Sequence, residues 1–275
     1  MNICIGHSPD SDDAFMFYGM THGKVDLEGL SITHDLVDIE TLNRRALAGD
    51  LEVSAISLAA YPQIADRYDI LPAGASVGDD YGPIVVSLGP LAPRDLAKGR
   101  IAIPGPRTTS ARVLDLYLRE EGIAVPPERR PIMDFDKILP AVLAGVVEAG
   151  LLIHEGQLTY ADEGASLVVD LGVWWKKRTG TPLVLGVNVV RRDLGPETIA
   201  RISRVLSHSI AWALAHREEA LDYAMSFGRG LPRDLTDRFV GMYVNHHTVD
   251  LGEDGRAGAE KLLGTFRISS SPLRS

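Results

Sequence analysis

The residues best suited to chemistry sit at the ends of four short apolar runs. In "AGLLIHEGQLTY" (149–160) a small, aliphatic stretch ends on His154, followed by Glu155 and Gly156. An imidazole titrates near working pH, so one placed beyond a strand can act as a general base. In "IPGPRTTSARVL" (103–114) a run ends in Pro-Gly-Pro, and Thr108, Thr109 and Ser110 then open a helical pattern. The first N–H groups of a helix lack intrahelical acceptors, so hydroxyls beside them make an anion site suited to a carboxylate. "GHSPDSDDAFMF" (6–17) repeats the arrangement with Ser8, Asp10, Asp12 and Asp13, and "SAISLAAY" (54–61) places Ser57 at a similar junction. Each position also has a plainer explanation. His154 fits a structural histidine bonded to a neighbouring carbonyl, one of the threonines and Ser57 fit simple helix caps, and acids at a helix start offset the helix dipole. The shared placement at strand ends is what points to one cavity lined by donors around a single base, His154, with Ser8, Asp13, Ser57, Thr108, Thr109 and Ser110 as ligand contacts.

Several other chemistries are excluded by spacing. The chain has no phosphate-loop or dinucleotide glycine pattern beside Thr108, and Ser57 lacks the flanking glycines of a nucleophile elbow. The acids at 10–13 lack the glycine and distal glutamate of a calcium loop. His246 and His247 are adjacent, which in regular structure turns their side chains apart, so they read as surface residues and not as ligands of one metal. Trp174 and Trp175 read as packing or rim residues, Cys4 as a buried strand residue, and His7 as the end of the first strand. With one cysteine there is neither an intrachain disulfide nor a cysteine-based zinc site.

The elements that must carry these residues alternate. Strand patterns at 2–6, 31–37, 51–57 and 83–89 are separated by helical patterns at 11–23 (capped by Ser11 or Asp12), 38–49 (capped by Asp38, stopped by Gly49) and 58–68. A second series follows: strand 100–105, helices 108–122 and 135–145, and strands 147–153, 165–172 and 183–192. The chain is mostly helical from there on. This order predicts an α/β fold with a largely parallel sheet. It divides into a large α/β domain at 1–90 plus 190–275 and a small one at 91–189, joined by two crossing connections with a cleft for ligand. The formal charge of −9 over 275 residues, with no long basic run, disfavours nucleic acid. No apolar run is long enough to enter a membrane as a span, and no signal-peptide pattern precedes Asn2, so the expectation is a cytoplasmic protein. Oligomeric state is left open.

Six segments carry a resemblance over nearly the whole chain: "DIETLNRRAL" (38–47), "YGPIVVS" (81–87), "IPGPRTTSA" (103–111), "FDKILPAVLAG" (135–145), "AGLLIHEGQLTY" (149–160) and "YVNHHTVDLGEDGR" (243–256). In these the chain resembles the menaquinone biosynthesis family of the futalosine route, which includes 1,4-dihydroxy-6-naphthoate synthases and, more distantly, chorismate dehydratase. The resemblance implies a bilobal, periplasmic-binding-protein-like fold of the second type. It also implies a cofactor-independent carbon–carbon lyase acting on cyclic dehypoxanthinyl futalosine, a small carboxylate, with no metal. It makes His154 the base and puts the ligand-contacting hydroxyls on Ser57, Thr108 and Thr109. The family's usual S-P-C-P-N-D-T-F start is matched here only at Ser8, Pro9, Asp13 and Phe15. A small-molecule binder of the same fold and a chorismate dehydratase are the alternative readings.

Overall fold

The computed structural model describes residues 1–264 and 268–269. The chain folds into two compact units: Met1–Val77 with the chain from Val184 onward, and Gly78–Leu183.

The first unit opens with β1 (Asn2–His7), α1 (Ser11–Thr21), β2 (Ser31–Leu36), α2 (Ile39–Ala48), β3 (Val53–Ser57), β4 (Tyr68–Ile70) and β5 (Ser76–Gly78). The helix α2 follows its sequence signals. Asp38 Oδ1 accepts from the N–H of Thr41 at 3.0 Å, Leu42 and Ala46 are buried, and Gly49 ends the helix at φ +81°. The cap of α1 is Asp10, whose side chain accepts from Asp13 N, and not the expected Ser11 or Asp12, which already lie inside the helix. The run at 58–68 does not form the expected α-helix. It makes a short 3₁₀ turn, Leu58–Gln63, that contains Pro62, which has no N–H to carry an α-helical ladder onward.

The second unit holds β6 (Ile84–Ser87), β7 (Ile101–Ala102), α3 (Thr109–Glu120), α4 (Phe135–Leu143), β8 (Ala149–Leu152), α5 (Gly156–Thr159), β9 (Ser166–Asp170) and α6 (Leu171–Thr179). The segment around Trp174 and Trp175 is thus helical. Asp170 Oδ1 caps α6 by accepting from Gly172 N and Val173 N, and Gly180 ends it at φ +74°. The chain then returns to the first unit through β10 (Leu183–Arg191), α7 (Pro196–Ala215), α8 (Arg217–Ala224), α9 (Arg233–Tyr243), α10 (His246–Val249) and α11 (Gly252–Leu263).

Two features differ from the sequence reading. The first is the position of the boundaries. β6 lies between β8 and β9 in the second unit's sheet, order β7-β8-β6-β9, so residues 84–87 belong there and not with 1–90. At the other crossing β10 lies between β3 and β4, which draws the chain from Val184 into the first unit, earlier than residue 190. The second is strand direction. β1 pairs in parallel with β2 and β3, but β10 runs antiparallel to β3 and β4, and β6 runs antiparallel to β8 and β9. Parallel pairing survives where a helix carries the chain back, as α1 and α2 do. Strands that enter from the other unit are free of that constraint.

One core of the first unit joins Ile3, Ile5, Phe15, Phe17, Val190, Ile202, Leu206 and Ile210. The second unit buries Ile84, Val86, Ile138, Val142 and Leu152 against one another. Among the described residues no helix is long and apolar enough to cross a membrane.

Candidate functional site

In the first unit, β1 and β3 are parallel neighbours, Ile5 opposite Val53 and Gly6 opposite Ser54. Their carboxyl ends therefore leave the same edge of the sheet, at the point where the order β2-β1-β3 places successive parallel strands on opposite sides of β1. Ligands of open α/β sheets favour such points. Ser8 and Ser57 stand there, both buried. The N–H of Ser8 donates to Asp13 Oδ2 at 2.8 Å, while Asp13's own N–H donates to Asp10 Oδ1 at 3.2 Å. The turn is thus locked by two carboxylates. Burial, and then the negative charge of Asp10, push the Asp13 carboxyl well above the usual carboxylate range, and the Ser8 N–H pulls the other way. Ser57 does not cap the turn after it with its side chain. Instead it is held by Asn43 of α2, whose Nδ2 donates to Ser57 Oγ at 3.1 Å and whose Oδ1 accepts from Ser57 N at 2.8 Å. With Oγ accepting from Asn43, the Ser57 O–H remains a donor. His7, at the end of β1, stacks on Phe17 with ring centroids 4.3 Å apart and bonds to Ser8 O and to His34, so its role is in the core.

The second unit repeats the pattern. β7 and β8 are parallel neighbours, Ile101 opposite Ala149 and Ala102 opposite Gly150. The segment leading to Thr108 and the segment leading to His154 therefore leave one edge of that sheet. Thr108 caps α3: its Oγ1 donates to Gly105 O at 2.8 Å and accepts from Ala111 N at 3.2 Å. The same oxygen lies 3.0 Å from Ser110 Oγ. Its one proton is committed to Gly105, so Ser110 is the donor in that pair. Thr108 and Ser110 thus use their protons within the helix start, and what they present outward is acceptor capacity beside the helix N–H groups. Thr109 is buried with them.

His154 follows β8 with φ +56°, in the left-handed region, without being glycine. Such a backbone is sparsely populated for a residue with a Cβ and is concentrated at functional positions. Its ring packs against Phe135, centroids 4.5 Å apart, and is half-buried. Phe135 opens α4, and Gly150 of β8 lies under that helix. A Cβ there would come within 2.5 Å of Ile138 Cγ2 and 2.8 Å of Val142 Cγ2, so only glycine lets α4 lie this close on β8. The His154 carbonyl accepts from Gln157 N and starts the turn into α5.

A family model described as menaquinone biosynthesis matches residues 3–267. The chain belongs to the menaquinone biosynthesis family. A 1,4-dihydroxy-6-naphthoate synthase of Thermus thermophilus is 44% identical over 259 residues, which is 94% of this chain and 92% of that protein. A crystal structure of a protein from Archaeoglobus fulgidus superposes with a TM-score of 0.88 at 48% identity, covering 95% of each chain. A Candida albicans protein, described as exhibiting the generic periplasmic binding protein structural fold, matches with a TM-score of 0.71 at 12% identity, over 96% of this chain and 89% of that one. The last likeness concerns the fold alone, and the α/β fold is periplasmic-binding-protein-like.

Two features of this family member escape the sequence reading. Asn43 is one. Its signal was present: it shares the buried face of α2 with Leu42 and Ala46, a polar residue on an apolar face. His247 is the other. It is buried, not surface, and its ring lies 3.9 Å from that of His246, because the two fall on one short helical turn and not on a strand. Trp175 is a packing residue, buried with Nε1 donating to Pro182 O, whereas Cys4 is only half-buried.

Proposed function

We propose that the chain is a carbon–carbon lyase that converts cyclic dehypoxanthinyl futalosine to 1,4-dihydroxy-6-naphthoate, with His154 as the general base. Identity of 44% to a synthase of that name supports the reaction. The observation that carries the residue assignment is the left-handed backbone of His154 beyond β8, on the same sheet edge as the helix start at Thr108. In this reading the carboxylate of the substrate accepts from backbone N–H groups at the N-terminus of α3, beside Thr108, Thr109 and Ser110. An unprotonated His154 imidazole removes a proton from the saturated ring. The freed electron pair forms a ring double bond as the adjacent carbon–carbon bond breaks, the electrons of that bond leave with the departing fragment, which takes up a proton, and the product gains an aromatic ring. Ser57, held by Asn43, donates to the substrate, and Ser8, fixed by Asp13, contacts it as well. No step calls on a metal or organic cofactor.

Positioned base catalysis is worth ~10²–10⁴-fold, so His154→Ala is expected to lower kcat by about that factor while the substrate still binds. The assay is incubation of purified protein with cyclic dehypoxanthinyl futalosine and detection of the naphthoate by mass spectrometry. Near-normal turnover in the variant removes His154 from the mechanism. A wild-type protein that binds the compound and returns it unchanged is a small-molecule binder, since the fold alone does not imply catalysis. Turnover of chorismate in its place marks a chorismate dehydratase.

A further inference from the structure

We propose that His246, His247 and Asp254, on α10 and the first turn of α11, form a binding site for one divalent transition-metal ion, with zinc the best chemical match. The inference is independent of the reaction proposed above, since none of the three residues is assigned to it. One ligand atom from each of the three residues lies within 4.8 Å of the other two. His247 is the deciding residue. Its Nδ1 is 3.2 Å from the carbonyl oxygen of Leu251, which can only accept, so Nδ1 carries the hydrogen. In the neutral ring Nε2 is then the lone-pair nitrogen. That atom is buried and has no hydrogen-bond partner among the described residues. It faces Asp254 Oδ2 at 3.7 Å, too far for a hydrogen bond.

A ring fixed by a carbonyl at one nitrogen with a bare, buried nitrogen at the other is how metal-ligating histidines are prepared, because the carbonyl sets the tautomer and aims the lone pair. Asp254 is arranged in a matching way. Its Oδ1 accepts from Gly255 N at 2.9 Å, which orients the carboxylate and leaves Oδ2 toward His247. His246 lies beside His247, the two rings tilted by 38°, and supplies the third donor. Two imidazoles and one carboxylate suit zinc and its transition-metal neighbours, not magnesium or calcium, which prefer all-oxygen shells. Three protein ligands leave a fourth position for water. The surroundings are anchored: Gly74 N donates to Thr248 O, and Leu251 N donates to Pro72 O. An ion here would clamp α10 to α11 against the 72–74 segment.

The test is calorimetric titration of chelator-stripped full-length protein with zinc chloride, paired with the thermal midpoint with and without the metal. The expected results are one zinc per chain and a midpoint that rises with zinc concentration, as for any ligand that binds only the folded state. His246 and Asp254 are exposed, so His246→Ala and Asp254→Asn keep the fold and remove only a ligand. Each is expected to weaken zinc binding by at least about tenfold, in line with losses seen when metal-site partners are removed. Cobalt substituted for zinc is expected to give the absorption of a four-coordinate ion, lost in both variants. The site is overturned if millimolar zinc neither binds nor shifts the midpoint, which leaves a loose histidine–aspartate pair. It is equally overturned if binding is unchanged in both variants, which places the zinc elsewhere.

Discussion

Asn43 and Ser57 close a ring of two hydrogen bonds in which one side chain reads both the backbone and the hydroxyl of the other. Both are buried, so removal of Asn43 strands the Ser57 N–H away from water. Asn43→Ala is expected to cost about 1–3 kcal/mol, the range for a buried donor left unmade. Denaturant titration measures that loss. If Ser57 contacts substrate, the same variant raises KM more than it lowers kcat; unchanged kinetics in a destabilised variant makes Asn43 purely structural. At this scale the hydroxyls were legible, because Thr108 sits where a cap must sit and Ser57 where a strand must turn. Which hydroxyl still has a proton to give was not legible. That depends on Gly105 O and Asn43, partners set by how α3 begins and how α2 packs on β3.

The helix α1 shows what an element hides. Ten of its eleven residues are buried, so it has no polar face for periodicity to find. It is read from its start, "SPDSDDAF", and from its length. Its packing rests on Gly19, where a Cβ would lie 2.9 Å from the backbone α-carbon of Ser209 on α7. Ser209 Oγ donates to Met16 O at 2.8 Å and accepts from Met20 N at 3.1 Å, tying the two helices at their closest approach. Gly19→Ala pushes backbone against backbone and is expected to cost about 1–3 kcal/mol, as overpacking does. Gly89→Ala, where a Cβ meets nothing within 4 Å, serves as the control and is expected within about 0.5 kcal/mol of the parent. Equal midpoints for the two variants would refute the close-packing argument. The antiparallel entry of β6 and β10 belongs to this scale too. Sequence pattern gives a strand's existence, while its direction is fixed by which neighbour offers an open edge.

For the whole molecule, two histidines that the fold buries together contribute to the loss of stability in acid. His7 Nδ1 donates to Ser8 O, so its Nε2 accepts from His34 Nδ1 at 3.1 Å, and the pair is satisfied when both rings are neutral. Burial lowers the pKa of His7, against the Ser8 carbonyl and the charge of Asp10, which raise it. Burial and then His7 push His34 down to about 4. The unfolded chain takes up these protons near pH 6.5 and the folded chain does not. Stability is therefore complete above that pH and falls as pH drops toward 4. For His34 the loss is about 3 kcal/mol at most. Asp13 works in the opposite sense, since its raised pKa means that acid relieves the cost of keeping it charged at neutral pH. His34→Gln isolates the histidine contribution: the fall in unfolding free energy between pH 6.5 and 4 is expected to be shallower than in the parent. A parallel curve would show that the pair does not govern acid stability.

Taken alone, the sequence determined the α/β alternation, the cap at Asp38, a threonine cap at the start of α3, the family and the residues worth suspecting, because these depend on neighbours within a few positions along the chain. The tertiary structure decided which of those residues share a sheet edge, which strands run against their neighbours, and that Asn43 holds Ser57 while His247 turns a bare nitrogen toward Asp254. Those outcomes rest on how separate elements pack, whether close in sequence, as His247 and Asp254 are, or far apart, as β3 and β10 are. No local pattern records them, since a hydrogen bond or a buried lone pair exists only once two elements have packed.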